Sequence, residues 1–137
     1  MKKALLYLAL PVLFCLSSFE NLNETQYTKS QTETFIKEVF ADQAKTLVLN
    51  SPDRLALIEG FLSRVAISNS PEYAGKKFNL LSTIGLQNKY NPNLTRDINI
   101  NPATFNPLKY RLPMTSRKTE IFRIDRTDYL IIIQPVK

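Results

Sequence analysis

Residues 119–135, TEIFRIDRTDYLIIIQP, constrain the fold more than any other stretch. Two runs of β-branched and aromatic residues flank Asp125-Arg126-Thr127-Asp128, the pattern of an antiparallel hairpin with a short loop. If Ile124 faces Tyr129, then Phe122 faces Ile131. One face then carries Phe122, Ile124, Tyr129, Ile131 and Ile133, and the other Ile121, Leu130 and Ile132. A strand apolar on both faces needs cover on both sides, so 129–133 is expected to be central rather than at an edge.

Upstream of this hairpin the signals are helical. Ser30-Gln31-Thr32-Glu33 fits the S-x-x-E capping box, and Phe35, Ile36, Val39, Phe40, Ala44, Leu47 and Val48 follow at helical spacing. The pattern predicts a helix over 31–49, ended by Asn50. Ser51-Pro52 starts a second helix, over 52–66, with Leu55, Leu57, Ile58, Phe61, Leu62 and Val65 as its stripe. So short a connection predicts an antiparallel pair. Gly60 within it suggests close packing.

Beyond Pro71 the helical period is lost. Residues 78–86 read as a strand interrupted near Gly85, and Leu108, Tyr110 and Leu112, alternating with Lys109 and Arg111, read as another. Between them lie Asn91-Pro92, Asn101-Pro102 and Asn106-Pro107. Proline pushes its predecessor out of the helical region and asparagine supports side-chain turns, so 87–107 reads as a long, shaped loop. The expected fold class is α+β: an N-terminal antiparallel helix pair packed on a C-terminal antiparallel sheet of three or four strands.

The first 18 residues read differently from the rest. Lys2 and Lys3, an apolar run over 4–16 and then Ser17-Ser18 are the parts of a bacterial secretory signal, expected to be cleaved. The run is shorter than the roughly 20 residues that span a bilayer. Phe14 before Cys15 disfavours lipidation, and removal of the leader takes away the chain's one cysteine. The expected organisation is a signal peptide at 1–18, a flexible start at 19–29 and one α+β domain at 30–137. An apolar content of 44% with 22% charged residues fits such a domain and argues against disorder.

The formal charge of +6 is polarised along the chain. Between 20 and 75 five basic residues face eight acidic ones, whereas between 76 and 118 eight basic residues face Asp97 alone. A basic half reads either as a solvated face, the simpler alternative, or as a docking surface for an acidic partner.

Chemistry is bounded by what is missing. The chain has no histidine, which removes Ser-His-Asp and Cys-His sites, histidine acid-base catalysis and the usual zinc sites. Its three glycines, Gly60, Gly75 and Gly85, are too far apart for a phosphate-cradling loop. Of the carboxylates, Asp97, Asp125 and Asp128 are candidates, but the last two bracket the hairpin turn, where aspartate bonds locally. No catalytic residue, cofactor or metal is therefore expected.

The expectation for function is a small exported protein, periplasmic or secreted, acting as a non-catalytic binding or structural module of the cell envelope. The alternative is a carboxylate-dependent hydrolase of envelope polymers. A partner, an acidic protein or an envelope polymer, is expected at Lys89, Tyr90, Arg96 and Arg111 in and after the long loop. Nucleic acid is not expected as a partner, and membrane contact is expected only through the leader before cleavage.

Overall fold

The computed structural model describes residues 27–137; the expected signal peptide and its cleavage site, Cys15 and residues 19–26 of the expected flexible start lie outside them. The fold is α+β: helices in the first half and a four-stranded mixed sheet. Helix α1 spans Lys29–Phe40 and α2 spans Pro52–Ser63. The strands are β1 at Val65–Asn69, β2 at Asn79–Leu80, β3 at Glu120–Arg123 and β4 at Tyr129–Ile133, in the order β1-β4-β3-β2.

The hairpin has the expected register. Phe122 pairs with Ile131, and the Ile124 amide donates to the Tyr129 carbonyl at 3.0 Å. β4 is central, with β3 antiparallel on one side and β1 antiparallel on the other. Its two faces enter two separate cores. Ile131 and Ile133 join a large cluster with Phe35, Ile36 and Val39 of α1 and Ile58, Phe61 and Leu62 of α2. Leu130 and Ile132 form a second cluster, with Ile121, Tyr73 and Phe78 against them. All four β4 side chains from Leu130 to Ile133 are fully buried, and each contributes about 1.5–3 kcal/mol relative to exposure.

The cover on the second face is held by an arginine. The Arg123 guanidinium donates to the carbonyls of Tyr73 at 2.7 Å, Lys76 at 3.1 Å and Thr127 at 3.2 Å, and lies 5.6 Å from the centre of the Phe78 ring. A short helical turn at Pro71–Tyr73 and the residues after it are thereby tied to the hairpin.

Several expectations are corrected. The first helix begins earlier and ends sooner than 31–49. Its capping box is Thr28 with Gln31, not Ser30 with Glu33: the Gln31 amide donates to Thr28 Oγ1 at 3.1 Å and the Thr28 amide to Gln31 Oε1 at 2.9 Å. At Ala41 the backbone turns to φ 48° and ψ −126°, and a 3-10 turn at Ala41–Gln43 and a π turn at Lys45–Leu49 carry the chain to Asn50. Such a conformation costs a residue with a Cβ about 1–3 kcal/mol.

The second helix stops at Ser63 because the next residues form β1. Val65 and Ile67 are buried against β4, so the sheet takes residues that fit the helical stripe equally well. Gly60 makes no close packing contact: a Cβ there would meet nothing within 4 Å.

The sheet is not wholly antiparallel, since β2 runs parallel to β3. The strands expected over 78–86 and 108–112 shrink to the two residues of β2 and one bridge between Leu86 and Tyr110. Asn106-Pro107 is the reason in the second case. The Asn106 side chain accepts from the Leu108 amide at 3.0 Å and opens a 3-10 turn at Pro107–Lys109. Leu108, Tyr110 and Leu112 are buried as expected, but Lys109 is buried with them.

The long loop is shaped as its asparagines require. Oδ1 of Asn91, Asn101 and Asn106 each accepts from the amide two residues on, at 3.1, 3.0 and 3.0 Å. The intervening proline has no N–H, so the next residue supplies the first available donor. The Asn91 and Asn106 amide groups then reach α1, donating to the Glu38 carbonyl at 2.8 Å and the Phe35 carbonyl at 3.2 Å.

Candidate functional site

A cleft of about 610 Å³ opens between the end of this loop, residues 96–100, and the hairpin turn, residues 124–127. Leu81, Ser82 and Tyr110 complete its lining. Its size lies in the ordinary range for ligand sites.

Each wall has a sequence cause. Leu94 is buried and anchors the loop just before Arg96. The Arg96 guanidinium donates to the carbonyl of Leu81 at 3.4 Å and to that of Ile84, and lies 5.8 Å from the centre of the Tyr110 ring. Tyr110 also stacks on Phe105, with ring centres 5.5 Å apart. The ring thus fixes both the loop and the guanidinium.

Asp97 sits beside this ring. Tyr110 Oη donates to Asp97 Oδ2 at 2.8 Å and accepts from the Asp97 amide at 3.1 Å. Lys109 Nζ lies 2.8 Å from Asp97 Oδ1 and 3.7 Å from Glu38 Oε1. Burial pushes the Tyr110 hydroxyl up to about 12; the bond to the Asp97 amide works the other way, and the bond to its carboxylate adds to the rise. The phenol therefore stays protonated and acts as a donor.

Across the cleft Asp125 accepts from the Ser82 amide at 3.0 Å and from the Ser82 hydroxyl. Partial burial works to raise its carboxyl, but the two Ser82 bonds, its own amide and the neighbouring Arg126 outweigh this and hold it below the usual carboxylate range. This is a correction to the local turn role expected of Asp125, because its partner lies 43 residues away and joins the hairpin turn to the 3-10 turn at Leu81–Thr83.

Arg126 follows with φ 61°, the left-handed region in which a side chain costs roughly 1 kcal/mol and glycine or asparagine is preferred. Its guanidinium makes no hydrogen bond or ion pair among the described residues. Opposite, Ile98 is 96% exposed, an unusually bare aliphatic side chain, with Ile100 half-buried beside it.

Of the four residues singled out from the sequence, Arg96 lines the cleft; Lys89, Tyr90 and Arg111 are not part of its lining. Tyr90 is half-buried, stacked on Phe40 at 5.3 Å, with Lys89 Nζ 5.3 Å from its ring centre. Arg111 is exposed, and its amide donates to the Gly85 carbonyl at 2.9 Å. Ser82, Ile98 and Arg126 carry no signal in the sequence that separates them from ordinary surface residues. No group of three or more acidic or cysteine side chains among the described residues could hold a metal ion, and no described helix is long and apolar enough to cross a membrane.

No protein-family model matches this chain, and neither a curated protein nor a solved structure matches it, so the geometry of the cleft carries the reading of its function alone.

Proposed function

We propose that this chain is an exported, non-catalytic binding module of the bacterial cell envelope, periplasmic or secreted, that holds its partner at the cleft. The observation that carries the reading is that both carboxylates in the cleft already have their oxygens engaged. Asp97 is met by Lys109 and Tyr110, and Asp125 twice by Ser82. The bare Ile98 and the guanidinium of Arg126, which makes no hydrogen bond or ion pair among the described residues, are left to meet a partner.

A carboxylate-dependent hydrolase of envelope polymers is the second reading, favoured by the meeting of Asp97 and Asp125 in one cleft. That chemistry needs one carboxyl protonated as the acid. Asp125 is held ionised, and both oxygens of Asp97 are taken up by Lys109 and Tyr110.

Export rests on the order of Lys2-Lys3, an apolar run and Ser17-Ser18. The reading also takes α1 and α2 as an antiparallel pair over the larger core. Lys89, Tyr90 and Arg111 extend the proposed surface beyond Arg96 toward an acidic protein or an envelope polymer, with no role for nucleic acid, a cofactor or a metal.

Cell fractionation with mass spectrometry of the N-terminus tests the first half, with loss of about 17 or 18 residues expected outside the cytoplasm. Retention of Met1 on a cytoplasmic protein overturns it. Release of reducing ends from purified envelope polymer, abolished by both Asp97→Asn and Asp125→Asn, would replace binding with hydrolysis.

A further inference from the structure

Resting on the binding-module reading, we propose that the cleft takes an extended acidic peptide segment in which an aliphatic side chain sits beside a carboxylate. The apolar half of the recognition is Ile98. A side chain 96% exposed contributes nothing to the fold by burial, yet it stands at the lip of a cleft whose lining also holds Leu81, Ile100 and Ile124. An aliphatic side chain from a partner would cover it.

The charged half follows from which ions are already answered. Asp97 is paired with Lys109, and Asp125 is satisfied by Ser82. Arg96 has its guanidinium on the Leu81 and Ile84 carbonyls. Arg126 acts on the neighbouring Asp125 through its charge, but alone of these it makes no hydrogen bond or ion pair among the described residues, and it occupies a left-handed position that glycine would fill without strain. A long cation kept at a strained position on a cleft wall offers a fork-shaped donor set that matches a carboxylate. A second copy of this chain, still basic at 6 − 2 = +4 once Lys2 and Lys3 of the leader are removed, is a poor occupant for that wall. Phosphate polymers would answer Arg126 but leave Ile98 bare.

The test is a titration of the isotope-labelled full chain, followed by amide resonances, with three probes: an N-acetylated pentapeptide alternating glutamate with leucine, its counterpart with lysine for glutamate, and polyphosphate. The acidic peptide is expected to move the resonances of residues 96–100 and 124–127, and to weaken several-fold when salt is raised to about 0.5 M, where charges are screened within a few ångströms. Arg126→Gly is expected to weaken binding at least tenfold while raising the melting temperature. Ile98→Ser is expected to weaken it severalfold with the melting temperature unchanged. With the melting temperature kept or raised in both variants, loss of binding cannot be ascribed to unfolding. Equal binding by the lysine peptide overturns the acidic class while leaving a binding cleft. Movement by polyphosphate alone overturns the peptide class, and silence of all three probes at these residues overturns the site. Failure of export is read separately, from the mature N-terminus.

Discussion

Lys109 Nζ lies 2.8 Å from Asp97 Oδ1, yet the two side chains differ sharply in access to water: that of Lys109 is 6% exposed and that of Asp97 30%. Breaking a buried ion pair costs about 3–5 kcal/mol when the remaining charge cannot rehydrate. The asymmetry means that the cost depends on which partner is removed. Asp97→Ala, which strands the ammonium with only Glu38 at 3.7 Å and removes the acceptor of Tyr110, is expected to cost about 3 kcal/mol. Lys109→Met, which keeps the apolar stem and leaves a carboxylate that water can reach, is expected to cost about 1 kcal/mol. Denaturant midpoints at unchanged slope measure both, and the opposite ranking would refute the account.

Asp125 gives stability a dependence on acid. Its folded pKa lies below the ordinary value of 3.8, so the Ser82 bonds stabilise the fold above that value and the contribution is lost as pH falls through the folded pKa. Asp125→Asn is expected to melt lower than the unaltered protein at pH 7, with the gap closing as pH falls below 3.8 and through the folded pKa. Thermal melts across that range decide it, and a constant gap would show that the carboxylate's charge is immaterial.

Two small substitutions test backbone conformation rather than contacts. Gly60→Ala places a methyl group where nothing lies within 4 Å, inside α2, and is expected to stabilise by about 1 kcal/mol, or several degrees. Ala41→Gly removes the Cβ from a residue at φ 48° and is expected to stabilise by a similar amount, about 1 kcal/mol, despite glycine's greater freedom in the unfolded chain. A loss of stability in the second case would mean that Ala41 bears no strain.

Ile131→Asp tests the central place of β4. The side chain is fully buried in the larger core, where an unpaired carboxylate costs several kcal/mol, and no soluble folded protein is expected. Recovery of a folded domain with a cooperative melt would contradict the burial.

The hairpin is readable from the sequence because alternation over residues 121–133 leaves one register that puts every apolar side chain under cover. The Asn-Pro turns are readable because each asparagine's partner is fixed by the proline after it. β1 is not, since Val65 continues the 3.6-residue stripe of Phe61 and Leu62; only the need of β4 for a second neighbour favours a strand there. The break at Ala41 is hidden for a related reason: alanine is a good helix former, and the apolar period runs on through Ala44 and Val48. Alternation also misplaces Lys109, which would face water on a strand and turns inward on a 3-10 turn. As for the cleft, Asp97 and Arg96 are visible as the lone acid and a base of the basic half, whereas Ser82 and Arg126 reach it only through tertiary folding.

Arg123 does more than tie a loop. The carbonyls that it gathers keep a lid on Leu130 and Ile132, within Tyr-Leu-Ile-Ile-Ile, a run without charge, proline or glycine whose composition is that of segments that stack into fibrils. The same arginine pairs directly across from Leu130, and Asp125, Arg126 and Asp128 crowd the residues just before the run. These charges act as gatekeepers twice over: in the folded protein Arg123 withholds the run's second face from self-templating, and in the unfolded chain the cluster opposes its stacking on other copies.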